Sequence, residues 1–297
     1  MSNKLRKMTL EKKHNLTGWA FLAPATFLIA VFSFWPMIKA LVLSFQTGKG
    51  RNMQMAGFTN YIRMFQDDVF IQSIKNTFFY FILQVPIMLV VALVLACILN
   101  KKDLRFKGFF RTMIFLPCTT SLVAYSIIFR SLFANDGLVN YVLVNIGILD
   151  KPYNFLTQPF AAKMVIILAL LWRWTGYNMV FFLSGLQNIE YSVYEAAKID
   201  GASAIQTFFK ITVPLLKPTI LLTAIMSTNG TLQLFDESVN LTDGGPANAS
   251  ISMSHYIYNL CFKYVPNFGY AAAMSFFILL LVAVLAFIQM RVGDKRD

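Results

Sequence analysis

The 297-residue chain is 57% hydrophobic and 13% charged, with a mean hydropathy of +0.59. A soluble domain carries about 25% charged residues and a disordered one combines low hydrophobicity with high net charge, so both are excluded and the chain belongs in a bilayer. A formal net charge of +12 would point to nucleic acid in a soluble protein, but here it is read as the Lys and Arg that collect in cytoplasmic loops of membrane proteins.

A bilayer core takes about 20 apolar residues of helix. Stretches free of Asp, Glu, Lys, Arg and His run over 15–38, 76–100, 112–129, 174–189, 218–235 and 264–290. They predict an all-α membrane protein with six transmembrane helices, at roughly 17–45, 73–99, 109–133, 161–186, 214–238 and 268–291. The tail 1–16, the loops 100–111 and 187–213 with Lys217, and the tail 291–297 together hold sixteen Lys and Arg. The opposite loops hold five: Lys49, Arg51, Arg63, Lys151 and Lys263. The positive-inside rule then places both termini in the cytoplasm. The first apolar run is too long for a signal-peptide core, so the tail is expected to stay. On the outer side, 134–160 contains an apolar patch from Leu138 to Ile146. The segment 239–267 opens with the turn signal Thr242-Asp243-Gly244-Gly245-Pro246 and leads to a short helix expected at the membrane surface.

Catalytic signatures are missing. The two histidines, His14 and His255, stand apart, and neither HExxH nor GxSxG occurs. Cys97, Cys118 and Cys261 are isolated, so neither a disulfide nor a metal site is expected. Without GxxxxGK[ST] the chain should hold no nucleotide by a P-loop, and any ATP would sit on another polypeptide.

The loop 190–213 reads as two short helices joined at a glycine. Tyr191 to Asp200 favours helix, with Glu195 and Lys198 spaced to pair. Gly201 suits the left-handed position that ends such a helix. A second helix can run from Ala202 to Lys210, and Pro214 and Pro218 fall in the first turn of the next span. Ala196 and Ala197 present a low surface that another protein can approach closely.

The pattern Glu195-Ala196-Ala197, with Asp200 and Gly201, then Ile211 and Pro214, resembles the EAA loop of ABC-importer permeases. EAAKIDGAS followed by ITVPLLKP resembles the maltose-type carbohydrate branch. Further similar blocks stand in order: Phe109-Phe110-Arg111, Phe115-Leu116-Pro117, Gly176-Tyr177-Asn178-Met179, Gly185-Leu186-Gln187, Leu241 to Pro246, and Gly269 to Ala273. Val213 and Glu190 depart from the leucine and proline usual at those positions. The resemblance implies a type I ABC importer permease fold. It divides the chain into a cytoplasmic tail 1–16, a first helix and outer loop 17–72, a core 73–291 carrying the coupling loop, and a tail 292–297. It also implies the partners: a second homologous permease, two cytoplasmic ATPases holding ATP and Mg, and an extracellular sugar-binding protein. The place is the inner membrane, among lipid, with no nucleic acid partner and no cofactor on this chain. The function implied is carbohydrate import by alternating access. The alternative is a secondary transporter of a small polar solute driven by an ion gradient.

Polar residues inside the predicted spans mark the expected pathway. Arg173, between Trp172 and Trp174, is an intramembrane charge that marks either a pathway or a structural partner. Asn229 and Gln233 lie four apart on one helical face, with Asp236 beyond them. Aromatic rings and amides bind sugars, so the candidate pathway set is Trp172, Arg173, Tyr177, Asn178, Asn229, Gln233 and Asp236. Ser227 and Thr228 could instead bond neighbouring helices.

Overall fold

The structure is a computed structural model that describes residues 10–49, 52–101 and 103–293. The basic residues Lys4, Arg6, Lys7, Arg51, Lys102, Lys295 and Arg296 lie outside the described residues.

The chain enters through α1 (Leu10–Ile29), which runs through a π-helical stretch, Ala30–Phe34, into α2 (Trp35–Ser44). The rod is exposed almost throughout, and its α2 end rests on the last helix of the chain. A hairpin follows, β1 (Gln46–Lys49) against β2 (Asn52–Met55), with Gln46 opposite Met55. Helix α3 (Thr59–Met64) is tied back by Asn60, whose Nδ2 donates to Ser44 O (2.9 Å) and Gln46 O (2.8 Å).

Helix α4 (Asp68–Leu99) starts at Asp67, whose carboxylate accepts from the Val69 and Phe70 amides, a normal N-terminal cap. Its length of 32 residues exceeds what a bilayer core needs. One face is polar and buried over Ser73, Asn76, Thr77, Tyr80 and Gln84. It then becomes small and apolar at Ala92 and Ala96. Asn76, Thr77 and Tyr80 bond the 248–253 segment, and the helix packs along α8 (Pro159–Gln187) as the central pair of the bundle.

Between these lie α5 (Lys107–Thr119), α6 (Leu122–Leu132) and α7 (Leu138–Asn145). The predicted third span is therefore two helices, bent by 98° where Thr120 and Ser121 turn extended. After α8 come α9 (Tyr191–Ile199), α10 (Ala204–Thr207), a π-helical turn, and α11 (Val213–Leu215). Next, α12 (Lys217–Leu232) leaves α11 at 70°. The predicted fifth span stops at Leu232, because 233–235 leave the helix before α13 (Asp236–Thr242). Then α14 (Met253–Tyr258) and α15 (Phe268–Gly293) complete the described chain. The expectation of a helix lying on the membrane near 251–260 is corrected: Met253, His255 and Tyr256 of α14 are buried against α4 and α15.

The apolar residues divide by level. At one end Leu99, Leu186, Phe208, Val213 and Leu216 cluster. At the other, Met64, Phe70, Ile251, Tyr256, Leu260 and Tyr270 do so. Tyr80, Tyr125, Ile166, Leu170, Leu234 and Leu241 fill a third cluster that joins α4, α6, α8 and α13.

Candidate translocation cavity and coupling loop

The helix break at α12–α13 opens a cavity of about 320 Å3 between α4, α8, α12 and α13. Gln84, Met88, Trp174, Tyr177, Asn178, Ser227, Thr231, Gln233, Asp236 and Glu237 line it, with apolar side chains between them. The chain already satisfies part of this set. Thr231 Oγ1 donates to Gln84 Oε1 (2.9 Å), Asn178 Nδ2 to Trp174 O (3.0 Å), and Ser227 Oγ to Asn178 Oδ1 (3.3 Å). These bonds fix the amides where lipid could not. Trp174 and Tyr177 meet edge to face at 5.7 Å, leaving ring surface toward the cavity. Among the described residues, the Tyr177 hydroxyl and the Asp236 carboxylate make no hydrogen bond or ion pair within the chain.

The structure thus brings Tyr177, Asn178, Gln233 and Asp236 together. Asn229 stands outside the lining and accepts a hydrogen bond from Gln233 Nε2. Trp172 lies on another face of α8, stacked on Tyr125 and tilted against Phe129. Arg173 also turns away. Its guanidinium donates to Thr120 O (2.8 Å), Cys118 O (3.3 Å), Pro117 O (3.4 Å) and Thr120 Oγ1 (3.3 Å), and lies 4.8 Å from the Tyr125 ring centre. These oxygens lie at the C-terminal end of α5, where the helix dipole is negative; the Cys118 and Thr120 carbonyls there have no helical donor. The Tyr125 hydroxyl in turn donates to the buried Glu237 carboxylate.

Gly176 explains how α5 comes so near. A β-carbon there would sit 1.9 Å from Ile114 O, so only glycine lets the two backbones touch. Gln84, Met88, Trp174 and Glu237 were not among the expected pathway residues. A signal for Gln84 existed: Ser73, Asn76, Thr77, Tyr80 and Gln84 recur at three and four residues along one face of α4.

The second candidate site is the loop between α8 and α12. Helix α9 ends at Gly201 with φ +75°; Gly201 N donates to Lys198 O (3.2 Å) and Ala202 N to Ala197 O (2.9 Å). This pair of bonds is the usual left-handed stop at a helix C-terminus. A reciprocal pair then opens α10: Gln206 N donates to Ser203 Oγ (3.2 Å) and Ser203 N to Gln206 Oε1 (2.8 Å). The Thr212 hydroxyl reaches the Tyr194 hydroxyl (3.4 Å) and braces the two arms. Glu195, Ala196, Asp200 and Gly201 are exposed, Ala197 is buried, Ile211 is half-buried, and Pro214 is exposed in α11. Glu195 and Lys198 do not form the anticipated ion pair. The loop also exposes Ile199 (85%), Ile205 (72%) and Phe209 (66%) around the same corner, an apolar knob that the motif reading did not single out.

A family model described as "Binding-protein-dependent transport system inner membrane component" matches residues 68–296. The chain belongs to this family. As a permease it is a multi-pass inner-membrane transport subunit, not an enzyme. It is similar to the lactose transport system permease protein LacF of Rhizobium radiobacter, at 52% identity over 292 residues and 98% of each chain. It is also similar to the arabinooligosaccharides transport system permease protein AraP of Bacillus subtilis (strain 168), at 31% identity over 93% of this chain and 88% of the relative. Among solved structures, the permease superposes on a chain of a bacterial alginate ABC transporter in complex with an alginate pentasaccharide-bound periplasmic protein. The TM-score is 0.84 and the identity 25%, over 96% of each chain. A second structure of a bacterial ABC transporter that imports alginate gives a TM-score of 0.85 at 24% identity. The fold is that of an ABC importer permease.

Proposed function

We propose that this chain conducts a carbohydrate across the inner membrane by alternating access, through the cavity beside the α12–α13 break. The observation that carries this reading is the lining itself. Two rings, Trp174 and Tyr177, stand beside an unpaired hydroxyl and carboxylate in a cavity of about 320 Å3. That is the size of a small-ligand site, apolar with a few polar groups that set orientation. Ring faces take the C–H faces of a sugar, and Tyr177 and Asp236 take its hydroxyls. The names of the relatives support the substrate class: one is a lactose and one an arabinooligosaccharide permease. ATP and Mg belong on two separate ATPase subunits, which dock on the exposed corner of α9 and α10 in the cytoplasm. Glu195, Ala196, Ala197, Asp200 and Gly201 shape that corner, with Ile211 and Pro214 at its base. A second permease and an extracellular binding protein complete the assembly.

Reconstituted complex, assayed for sugar uptake with and without ATP, tests this. Uptake should require ATP. Tyr177→Ala should lower it at least about tenfold, the loss expected when a polar partner of the solute disappears, with the ATPase still bound. Gly201→Val should instead weaken ATPase pull-down about tenfold, since a left-handed L-residue costs about 1–2 kcal/mol and a β-branched one more. Undiminished uptake in Tyr177→Ala would remove the cavity from the pathway.

A further inference from the structure

We propose that Asp236 makes the cavity select against anions, so that this permease passes neutral solutes and rejects sugars bearing a carboxylate or phosphate. The inference deepens the pathway reading above and rests on it.

The lining contains no Lys, Arg or His. The one cation in the middle of the neighbouring span, Arg173, is 6% exposed. Four oxygens at the end of α5 and the Tyr125 ring take its guanidinium. Its charge faces a helix C-terminus and is not offered to a solute. Glu237, 4% exposed, has its carboxyl group bonded by the Tyr125 hydroxyl and is likewise held in the wall. Asp236 is the charge left over. It lines the cavity, and no ion pair within the described residues compensates it. In a cleft with apolar walls a single uncompensated charge sets the local potential, because little water screens it. An anionic solute would meet Asp236 with like-charge repulsion. A neutral sugar would gain a charge-assisted hydrogen bond from a hydroxyl. The shared fold does not decide this, since it also serves import of the acidic polysaccharide alginate in the transporter it resembles. The choice must lie in side chains.

Uptake alone is a poor test, because the delivering protein imposes its own selection. The potential can be read directly with two thiol reagents of similar size and opposite charge, the cationic ethyltrimethylammonium and the anionic ethylsulfonate methanethiosulfonates. They are applied to the assembled complex in nanodiscs, where both faces are reachable. The reporters are Ser227→Cys and Gly230→Cys in a background without Cys97, Cys118 and Cys261. A β-carbon at Gly230 meets nothing within 4 Å, so that reporter fits without repacking. The expected ratio of cationic to anionic reaction rates is about tenfold above the ratio for a free thiol in solution. It should fall severalfold in Asp236→Asn and invert in Asp236→Lys. A biased ratio that is indifferent to residue 236 would overturn the proposal and assign the potential to the partner permease. Reaction of neither reporter with either reagent would overturn the pathway reading and the proposal with it. Reaction that is fast but unbiased leaves the pathway reading standing and removes only the anion barrier.

Discussion

A guanidinium in the middle of a span costs several kcal/mol unless the protein meets its donors, and Arg173 shows how that is done. Residues 120 and 121 leave the helix, so the Cys118 and Thr120 carbonyls lack helical partners, while Pro117 O keeps the Thr120 amide and hydroxyl. Arg173 supplies donors to four of the oxygens there, while its Nε finds none. The sequence marks Arg173 as exceptional but leaves pathway and structural partner open, since the acceptors are backbone atoms more than fifty positions away and carry no side-chain signature. Arg173→Met should leave the Cys118 and Thr120 carbonyls without their donor, at about 1–3 kcal/mol for each group abandoned. Thermal unfolding of the purified complex should then come at least about 5 °C lower, with Arg173→Lys in between. Uptake per folded complex should fall much less than stability. Unchanged melting together with abolished uptake would instead place Arg173 on the solute.

At the scale of elements, the spans were legible because a run of about 20 uncharged residues has few other uses. The loop 190–213 was legible because local rules govern it: a glycine stop and proline in a first turn act within a few residues, though the Ser203–Gln206 cap was not read. The breaks at 120–121 and 233–235 were not legible, because distant groups hold them open: Arg173 at the first, and Ser252, whose Oγ donates to Leu234 O (2.5 Å), at the second. The end of the bundle near α14 depends on similar distant bonds. Asp67 accepts from the Tyr256 and Tyr270 hydroxyls, both at 2.7 Å, as well as capping α4. Burial alone would raise its carboxyl, but these hydroxyls and the Phe70 and Val69 amides together hold it below the ordinary value. His255 of α14 faces α13, with Nδ1 at 2.9 Å from Ser238 Oγ. Burial depresses it to about 4, against the pull of Asp243, while Lys263 adds to the depression. Neutral His255 is therefore the folded form. Above its unfolded value of 6.5 both states are neutral and stability is complete; between 6.5 and about 4 the unfolded chain takes up a proton that the folded chain refuses, so stability falls with pH. Asp67 acts in the same direction only below its unfolded value of 3.8. Melting temperature should accordingly decline from pH 6.5 toward 4, and His255→Gln should flatten that decline. A variant with the same slope as the parent would show that other groups carry the acid sensitivity.

Over the whole molecule, the charge asymmetry and the packing can be checked against one another. The basic loop 100–111 and the loop 187–213 are separated by 75 or more residues, yet one apolar cluster gathers their ends, with Leu99, Leu104, Leu186, Ile189, Phe208 and Leu216 in contact. Arg111 Nη2 donates to Leu99 O (3.0 Å) and closes the same end. The opposite cluster gathers Met64, Phe70, Ile251 and Leu260, which border the sparsely charged loops. Among the described residues, the ends of the loops 100–111 and 187–213 thus gather at one end of the bundle and the segment 251–260 at the other, and the direction of the bundle in the membrane is left to fix. We propose that the Lys- and Arg-rich end faces the cytoplasm, as the positive-inside rule expects, which would put α9 and α10 on the side where an ATP-hydrolysing partner works. Cysteines placed at the two ends decide the direction. In a background without the native cysteines, Asp136→Cys should react in intact cells with a membrane-impermeant maleimide. Ser203→Cys should react only after the membrane is opened. Both positions are exposed in the chain, and reaction of Ser203→Cys on opening the membrane separates sidedness from cover by a docked partner. Labelling of Ser203→Cys in intact cells would invert the bundle, place the glycine-capped corner outside, and leave an ATP-driven mechanism with nothing on this chain to grip.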